Sequence, residues 1–340
     1  MPRDPGRVIY RLGPVDIVQV AQRIADDVLF PAALATDASD VLPRELLDAL
    51  AGAGLYGVVA ARPADGVGAD FPTLCAVQEA LASGCLTTAF VWAQHNGLVR
   101  ALAEGGDPEL TARWLAPLAR GEIRAGVALA GTLPRPPLRA SPDAGGWRLD
   151  GVAPFVSGWG RIDVIYVAAR AGDEIVWLLV DAAEGPSVRA ERLKLAALNA
   201  TATVRVTFGQ LPVAAGRVIR RHPVSPGTAP EVLRLHAAFA LGVAARCTQM
   251  LGPTPLDAEL ASLRAELGRL GPGTAAARAA AGELALRAAS ALMATEGSRS
   301  LLVTEHGQRL AREAMFILVY ALRPASRAAL LARLGAPEPG

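Results

Sequence analysis

Lysine is nearly missing from this 340-residue chain: Lys194 is the only one, so arginine supplies all but one of its 34 basic side chains. Together with abundant alanine, this points to a coding sequence rich in G and C rather than to a mechanism. Against 32 acidic side chains the formal net charge is only +2. Nucleic-acid binding needs a clustered basic excess, so that partner class is excluded. Cysteine is scarce too. Cys75, Cys85 and Cys247 lie far apart in apolar helical surroundings, which argues against a disulfide framework or a CxxC metal site and for buried thiols in a reducing compartment. Uncharged apolar runs such as Met315 to Leu322 are too short to span a bilayer. Residues 1–10 carry Arg and Pro but no apolar signal core. The expectation is a cytoplasmic protein with no membrane partner. HExxH, GxSxG, P-loop and paired-carboxylate patterns are missing, no metal site is expected, and the Gly66-Val67-Gly68 step lacks the third glycine and βαβ context of a dinucleotide fingerprint.

What is present is apolar bulk: 52% hydrophobic residues can bury a large core, and the length suits two or three packed subdomains. From about Pro14 to Arg120 the apolar residues recur at helical spacing, as in Ile17, Val18, Ala21, Ile24 and Val28. Pro43 opens one helix, Gly52-Ala53-Gly54 closes it, and Pro108-Glu109 opens another. Between roughly Gly121 and Arg220 the pattern changes to short β-branched and aromatic runs, such as Val164 to Val167, Val176 to Val180 and Val204 to Phe208. Arg221 to Gly227, with its prolines and glycine, reads as a linker. Beyond Ala229 the chain is helical and alanine-rich, which lets helices approach closely. The fold class is α+β and mostly α: a helical domain over 1–120, a central antiparallel β domain over 121–221 and a C-terminal four-helix bundle over 228–340.

Specific segments carry a resemblance. Asp150-Gly151-Val152-Ala153-Pro154-Phe155-Val156-Ser157 joins a glycine-hinged turn to an aromatic-x-Ser step, Trp114 to Glu122 forms a tryptophan-led crossover, and Arg309-Leu310-Ala311-Arg312-Glu313-Ala314 is followed by Val319-Tyr320-Ala321. With Leu42 to Leu50 leading into Gly54-Leu55-Tyr56-Gly57, and Leu198 to Phe208, these segments resemble the acyl-CoA dehydrogenase superfamily in order and spacing over nearly the whole chain. The resemblance implies an FAD cofactor between the β domain and the bundle. It also implies a small-molecule or acyl-thioester substrate and a homodimer or homotetramer. By position, Phe155, Val156 and Ser157 would bind the cofactor, with Phe155 packed on the flavin ring and Ser157 at the flavin's polar edge. Leu129, Ala130 and Gly131 would offer backbone groups to it. An ordinary core aromatic is the competing reading of Phe155.

The chain also departs from the family pattern. Ala130-Gly131-Thr132-Leu133-Pro134-Arg135-Pro136-Pro137-Leu138-Arg139 stands where relatives carry a glycine-rich phosphate cradle, and its prolines remove backbone donors. Arg135 and Arg139 are either phosphate grips or solvated loop arginines. Ala321 occupies the usual glutamate base position and accepts no proton. The nearest alternative carboxylate is Glu231, one residue out of register with Val232, which is about 100° of helix rotation; its competing reading is an exposed helix-start carboxylate. The segment after Cys247 and the Leu322-Arg323-Pro324 step also differ from relatives, which leaves FMN or no flavin open beside FAD. Of the histidines, His95 and His236 sit in helices, His222 in the linker, and His306 near Gln308 and Arg309 is a possible site residue without a supporting motif. The implied function is a flavin-dependent oxidoreductase diverged from the β-oxidation type. A flavin monooxygenase of the same fold and a non-catalytic scaffold paralogue are the alternatives.

Overall fold

The computed structural model describes residues 16–337 other than Gly106 and Pro226; the expectation for residues 1–10 and the start of the first helical pattern at Pro14 lie outside the described residues. The Asp16 carboxylate accepts from the Val18 amide at 3.0 Å and so satisfies one of the free amides that begin a helix. It starts α1 (Ile17–Ile24), which passes through a π-helical turn (Ala25–Leu29) into α2 (Phe30–Asp37). Pro43 precedes α3 (Arg44–Gly52), and Gly54, at φ +74°, lets the chain turn away afterwards. Asp70 caps α4 (Phe71–Gly84), α5 (Leu86–Ala103) follows, and Asp107 caps α6 (Pro108–Ala119).

The sheet is built from β1 (Ala125–Ala128), β2 (Leu138–Asp143), β3 (Gly146–Val156), β4 (Val164–Ala171), β5 (Glu174–Asp181), β6 (Val188–Arg192), β7 (Val204–Ala214) and β8 (Val218–Pro223). Its spatial order is β6-β7-β3-β2-β4-β5-β8, with β1 also on β4. One correction to the sequence reading follows: β1 and β2 each pair parallel to β4, so the sheet is mixed and only mostly antiparallel. Parallel neighbours need a crossover: the β2–β3 hairpin carries the chain from β1 to β4, and β3 alone carries it from β2 to β4. The run of β-branched residues looks the same for either direction. A second difference concerns the expected linker. Arg221, His222 and Pro223 pair with Val176, Ile175 and Glu174, and proline is tolerated there because β8 is an edge strand.

Alternate residues of β4 and β5 face opposite ways. Ile165, Val167, Val176 and Leu178 join the sheet's own core, while Tyr166, Ala168, Ile175 and Trp177 pack with Leu98, Leu102, Trp114 and Leu118 of α5 and α6. The bundle comprises α7 (Pro230–Leu251), α8 (Pro255–Leu267), α9 (Thr274–Glu296), α10 (His306–Val319) and α11 (Pro324–Arg333), and α9 touches each of the others. The α7 to α10 helices are the expected four, with α11 added. One core runs from the N-terminal helices into the bundle, because α7 crosses α4 at Gly242, where a Cβ would lie 2.4 Å from the Glu79 carbonyl oxygen. Among the described residues no helix is long and apolar enough to cross a membrane, and no cluster of His, Cys, Asp and Glu could hold a metal ion. The three cysteines are free and buried.

Candidate active site

A cavity of about 710 Å³ opens where the end of β3, the turn after β1, the segment 195–201 and the C-terminal end of α10 converge, with Phe90 and Gln94 of α5 at its side. Local rules place its β wall. Between Ala153 and Val156 the β3–β7 register shifts, as Ala153 faces Val206 and Val156 faces Val204. Such a bulge re-aims side chains, and Pro154, which donates no ladder hydrogen bond, sits in it. Phe155 is consequently 65% exposed and lines the cavity, while Val156 points the other way and is fully buried.

Ser157 begins a chain of hydroxyls. Thr201 Oγ1 donates to the Leu198 carbonyl at 2.7 Å, and it lies 2.8 Å from Thr203 Oγ1, which lies 2.8 Å from Ser157 Oγ. The direction follows from one proton per hydroxyl. Thr201 has committed its proton to the carbonyl, so Thr203 donates to Thr201 and Ser157 donates to Thr203. Ser157 therefore meets the cavity as an acceptor. The turn is held with Leu198 at φ +57° and Ala202 at φ +51°, and across the cavity Ala321 sits at φ +47°. Left-handed backbone is costly for residues with a Cβ, and strain of this kind clusters at functional sites.

Leu129 and Ala130 line the cavity and Gly131 does not. Gly131 answers to packing: a Cβ there would come within 2.5 Å of the Ala168 carbonyl oxygen. Arg170 holds the same turn, donating to the Gly131 and Leu133 carbonyls at 3.2 Å each. Arg135 and Arg139 are exposed, and neither lines the cavity. Ala321 does line it. Glu231 is exposed in the first turn of α7 and lies outside the lining.

The histidines sit elsewhere. His95 Nδ1 accepts from the Ala125 amide at 3.1 Å, so its Nε2–H donates to the Leu118 carbonyl at 3.1 Å, and burial pushes its pKa down to about 3. This neutral ring pins α5 to β1. His222 accepts from Trp177 Nε1 at 2.9 Å on the sheet edge. His306 stacks on Phe30 with centroids 4.1 Å apart and accepts from Arg309 Nε. His236 meets the Tyr320 ring edge-on at 5.0 Å; burial, then the Arg278 and Arg323 guanidiniums, push it down to about 3.

Sequence reasoning missed three groups. In the Arg309 to Ala314 motif, Arg309 and Glu313 form a buried pair at 2.6 Å, whereas Arg312, one helical turn on, reaches the cavity. The Thr201–Thr203 pair was legible only as strand. Arg323 follows the left-handed Ala321 and also lines the cavity, and neither Leu198 nor Ala321 advertises a positive φ. Among the described residues the lining contains no Asp or Glu.

An apolar slot with an open aromatic and one oriented hydroxyl fits a planar, partly polar ring system, and its volume lies in the usual range for cofactor and substrate sites, roughly 300–1,000 Å³. The fold, with a helical domain, a mixed sheet and a helical bundle meeting at that slot, defines a class of protein. Residues 15–122 match the family model for the acyl-CoA dehydrogenase N-terminal domain. Butyryl-CoA dehydrogenase from Megasphaera elsdenii superposes with a TM-score of 0.77 at 17% identity, covering 96% of this chain and 99% of its own. PigA with FAD and proline gives 0.79 at 18%, covering 96% and 99%. Dibenzothiophene monooxygenase from Paenibacillus sp. A11-2 gives 0.71 at 18%, covering 95% and 98%. No curated protein matches the sequence. The chain thus shares the fold of these acyl-CoA dehydrogenase-like proteins, and its residues 15–122 match the model of the family's N-terminal domain.

Proposed function

We propose that the protein is a flavin-dependent oxidoreductase diverged from the β-oxidation type, with FAD as cofactor and a small-molecule or acyl-thioester substrate. The observation that carries this reading is the cavity itself: it keeps an open aromatic and a hydroxyl chain but, among the described residues, has no carboxylate in its lining. Bound there, a flavin would supply the redox chemistry that amino-acid side chains lack. Phe155 would give its ring an apolar wall, the Ser157 oxygen would accept from a flavin N–H, and Leu129 and Ala130 would stand at its edge. Dehydrogenation of a thioester also needs a base for the α proton, and Ala321 is none.

The carboxylate-free, mostly apolar lining favours a second reading, a monooxygenase of the same fold, in which the residues' task is to exclude water and orient a substrate. Three buried free thiols fit a reducing cytoplasm. Exposed Leu301, Leu302 and Val303 before α10 fit a homodimer or homotetramer, since exposed apolar stretches mark contact surfaces.

The test is the visible spectrum of the purified protein with and without added FAD and FMN. Flavin bands that co-elute with the protein support both enzyme readings, and FAD retained over FMN supports the cofactor assignment. A colourless protein that takes up neither flavin makes it a scaffold.

A further inference from the structure

Resting on that reading, we propose that Arg323 anchors the carboxylate of an organic anion with an apolar body, so that the substrate of this cavity is a carboxylic acid held by its charged end. The ionisable groups in the lining are Arg312, Arg323 and the Tyr320 phenol. Arg312 is already neutralised: Nη1 reaches Asp37 Oδ1 at 3.0 Å, Nη2 reaches Oδ2, and Nε donates to Gln308 at 3.0 Å. Arg323 has no such partner. Among the described residues its guanidinium makes one hydrogen bond, from Nη2 to Thr132 Oγ1 at 3.4 Å, and no ion pair with a carboxylate.

The backbone is arranged to hold this cation in place. The α10 helix ends at Tyr320, Ala321 turns left-handed at φ +47°, and Arg323 stands extended at φ −85° and ψ 161° before Pro324 opens α11. The buried Arg278 clamps the turn from behind, donating through Nη2 to the Ile317 carbonyl at 2.9 Å and the Tyr320 carbonyl at 2.8 Å, while its Nε and Nη1 have no partner among the described residues. Arg323 thus faces this end of the cavity with no counter-charge among the described residues, and the fully buried Arg278 lies behind the turn. The same two groups help depress His236 and pull against the burial that raises the Tyr320 phenol.

Arg323 is partly buried beside an apolar wall of Phe90, Leu129, Leu133, Phe316, Val319 and Leu322, where any further loss of its hydration is costly unless an anion arrives. The planar guanidinium fork matches a carboxylate in two parallel hydrogen bonds, and the surrounding side chains ask for an apolar body. Other carriers of negative charge are the phosphates of the flavin itself, so the experiment separates the two sources.

Isothermal titration of FAD-treated protein with benzoate, and with benzamide as the neutral isostere, reads the anchor directly. Benzoate is expected to bind at least about tenfold more tightly than benzamide, because a hydrogen bond to a charged group contributes about 1.5–3 kcal/mol. In Arg323→Gln the benzoate affinity is expected to fall about tenfold or more with benzamide unchanged. Arg323→Lys, which keeps the charge, is expected to recover part of the loss, with circular dichroism and melting temperature confirming that both variants fold. Equal affinity for benzoate and benzamide, or benzoate binding unmoved by Arg323→Gln, overturns the proposal. So does a matching loss of FAD affinity in Arg323→Gln, which would assign the cation to the cofactor phosphates. If the wild type takes up no flavin yet shows Arg323-dependent benzoate binding, the carboxylate anchor stands and the flavin reading falls.

Discussion

Asp37 at the end of α2 and Arg312 in α10, 275 residues apart in sequence, meet through two parallel hydrogen bonds, Nη1 to Oδ1 at 3.0 Å and Nη2 to Oδ2. The pair joins the N-terminal helices to the bundle at the cavity wall, and Arg312 also donates to the Ala196 carbonyl at 3.3 Å. Three parts of the chain that shape the cavity are thereby tied at one guanidinium. Asp37→Asn leaves the partly buried Arg312 with a neutral partner. A loss of about 2 kcal/mol is expected, read as a lower urea midpoint with an unchanged slope.

The His95 ring sets a pH dependence. Its folded pKa of about 3 lies below the unfolded value of roughly 6.5, so between these limits the unfolded state binds the extra proton. Stability is therefore full above about pH 6.5 and declines as the pH falls toward 3, at up to about 1.4 kcal/mol per pH unit from this group. His236 and His306, depressed to about 3 and about 4, act in the same direction. In His95→Gln the slope of unfolding free energy against pH between 6.5 and 4 should be shallower than in the wild type. Parallel slopes would exclude His95 as a source.

Gly242 is a test of close helix packing. Alanine there places a methyl group 2.4 Å from the Glu79 carbonyl oxygen and 2.7 Å from the Ala82 Cβ, so α4 and α7 must part. Overpacking of this kind costs about 1–3 kcal/mol. Gly52, where a Cβ meets nothing within 4 Å, is the control: Gly52→Ala should leave the melting temperature unchanged or slightly raised.

Phe155 tests the cavity as a ring site. Phe155→Ala should weaken FAD binding about tenfold in a flavin fluorescence titration. It should leave stability nearly unaltered, because a side chain that is 65% exposed contributes little to the core.

Ala321 makes a kinetic prediction. Anaerobic mixing of the flavin-loaded protein with a saturated acyl-CoA should leave the visible flavin absorbance unbleached, since no carboxylate among the described residues lines the cavity to take the α proton. Rapid bleaching would mean that a base reaches the substrate from outside the lining, with Glu231 the carboxylate to substitute first.

The order of helical, β and helical segments was legible because burial imposes a period on each: near 3.6 residues in Ile17 to Val28, and 2 in Val204 to Phe208. Strict alternation would set Phe155 on the buried face with Ala153; the register shift against β7 turns it outward, so its exposure was not readable from the strand alone. Nor was strand direction, because β1 and β4 carry the same β-branched signature whether they run parallel or antiparallel. The hydroxyl relay from Ser157 to Leu198, the left-handed turns at Leu198, Ala202 and Ala321, and the contrast between a neutralised Arg312 and an uncompensated Arg323 depend on partners dozens to hundreds of residues away. Local sequence determines which face a side chain takes; only the assembled tertiary structure decides which charges find partners, because electrostatic pairing depends on distance in space and on how completely water is excluded.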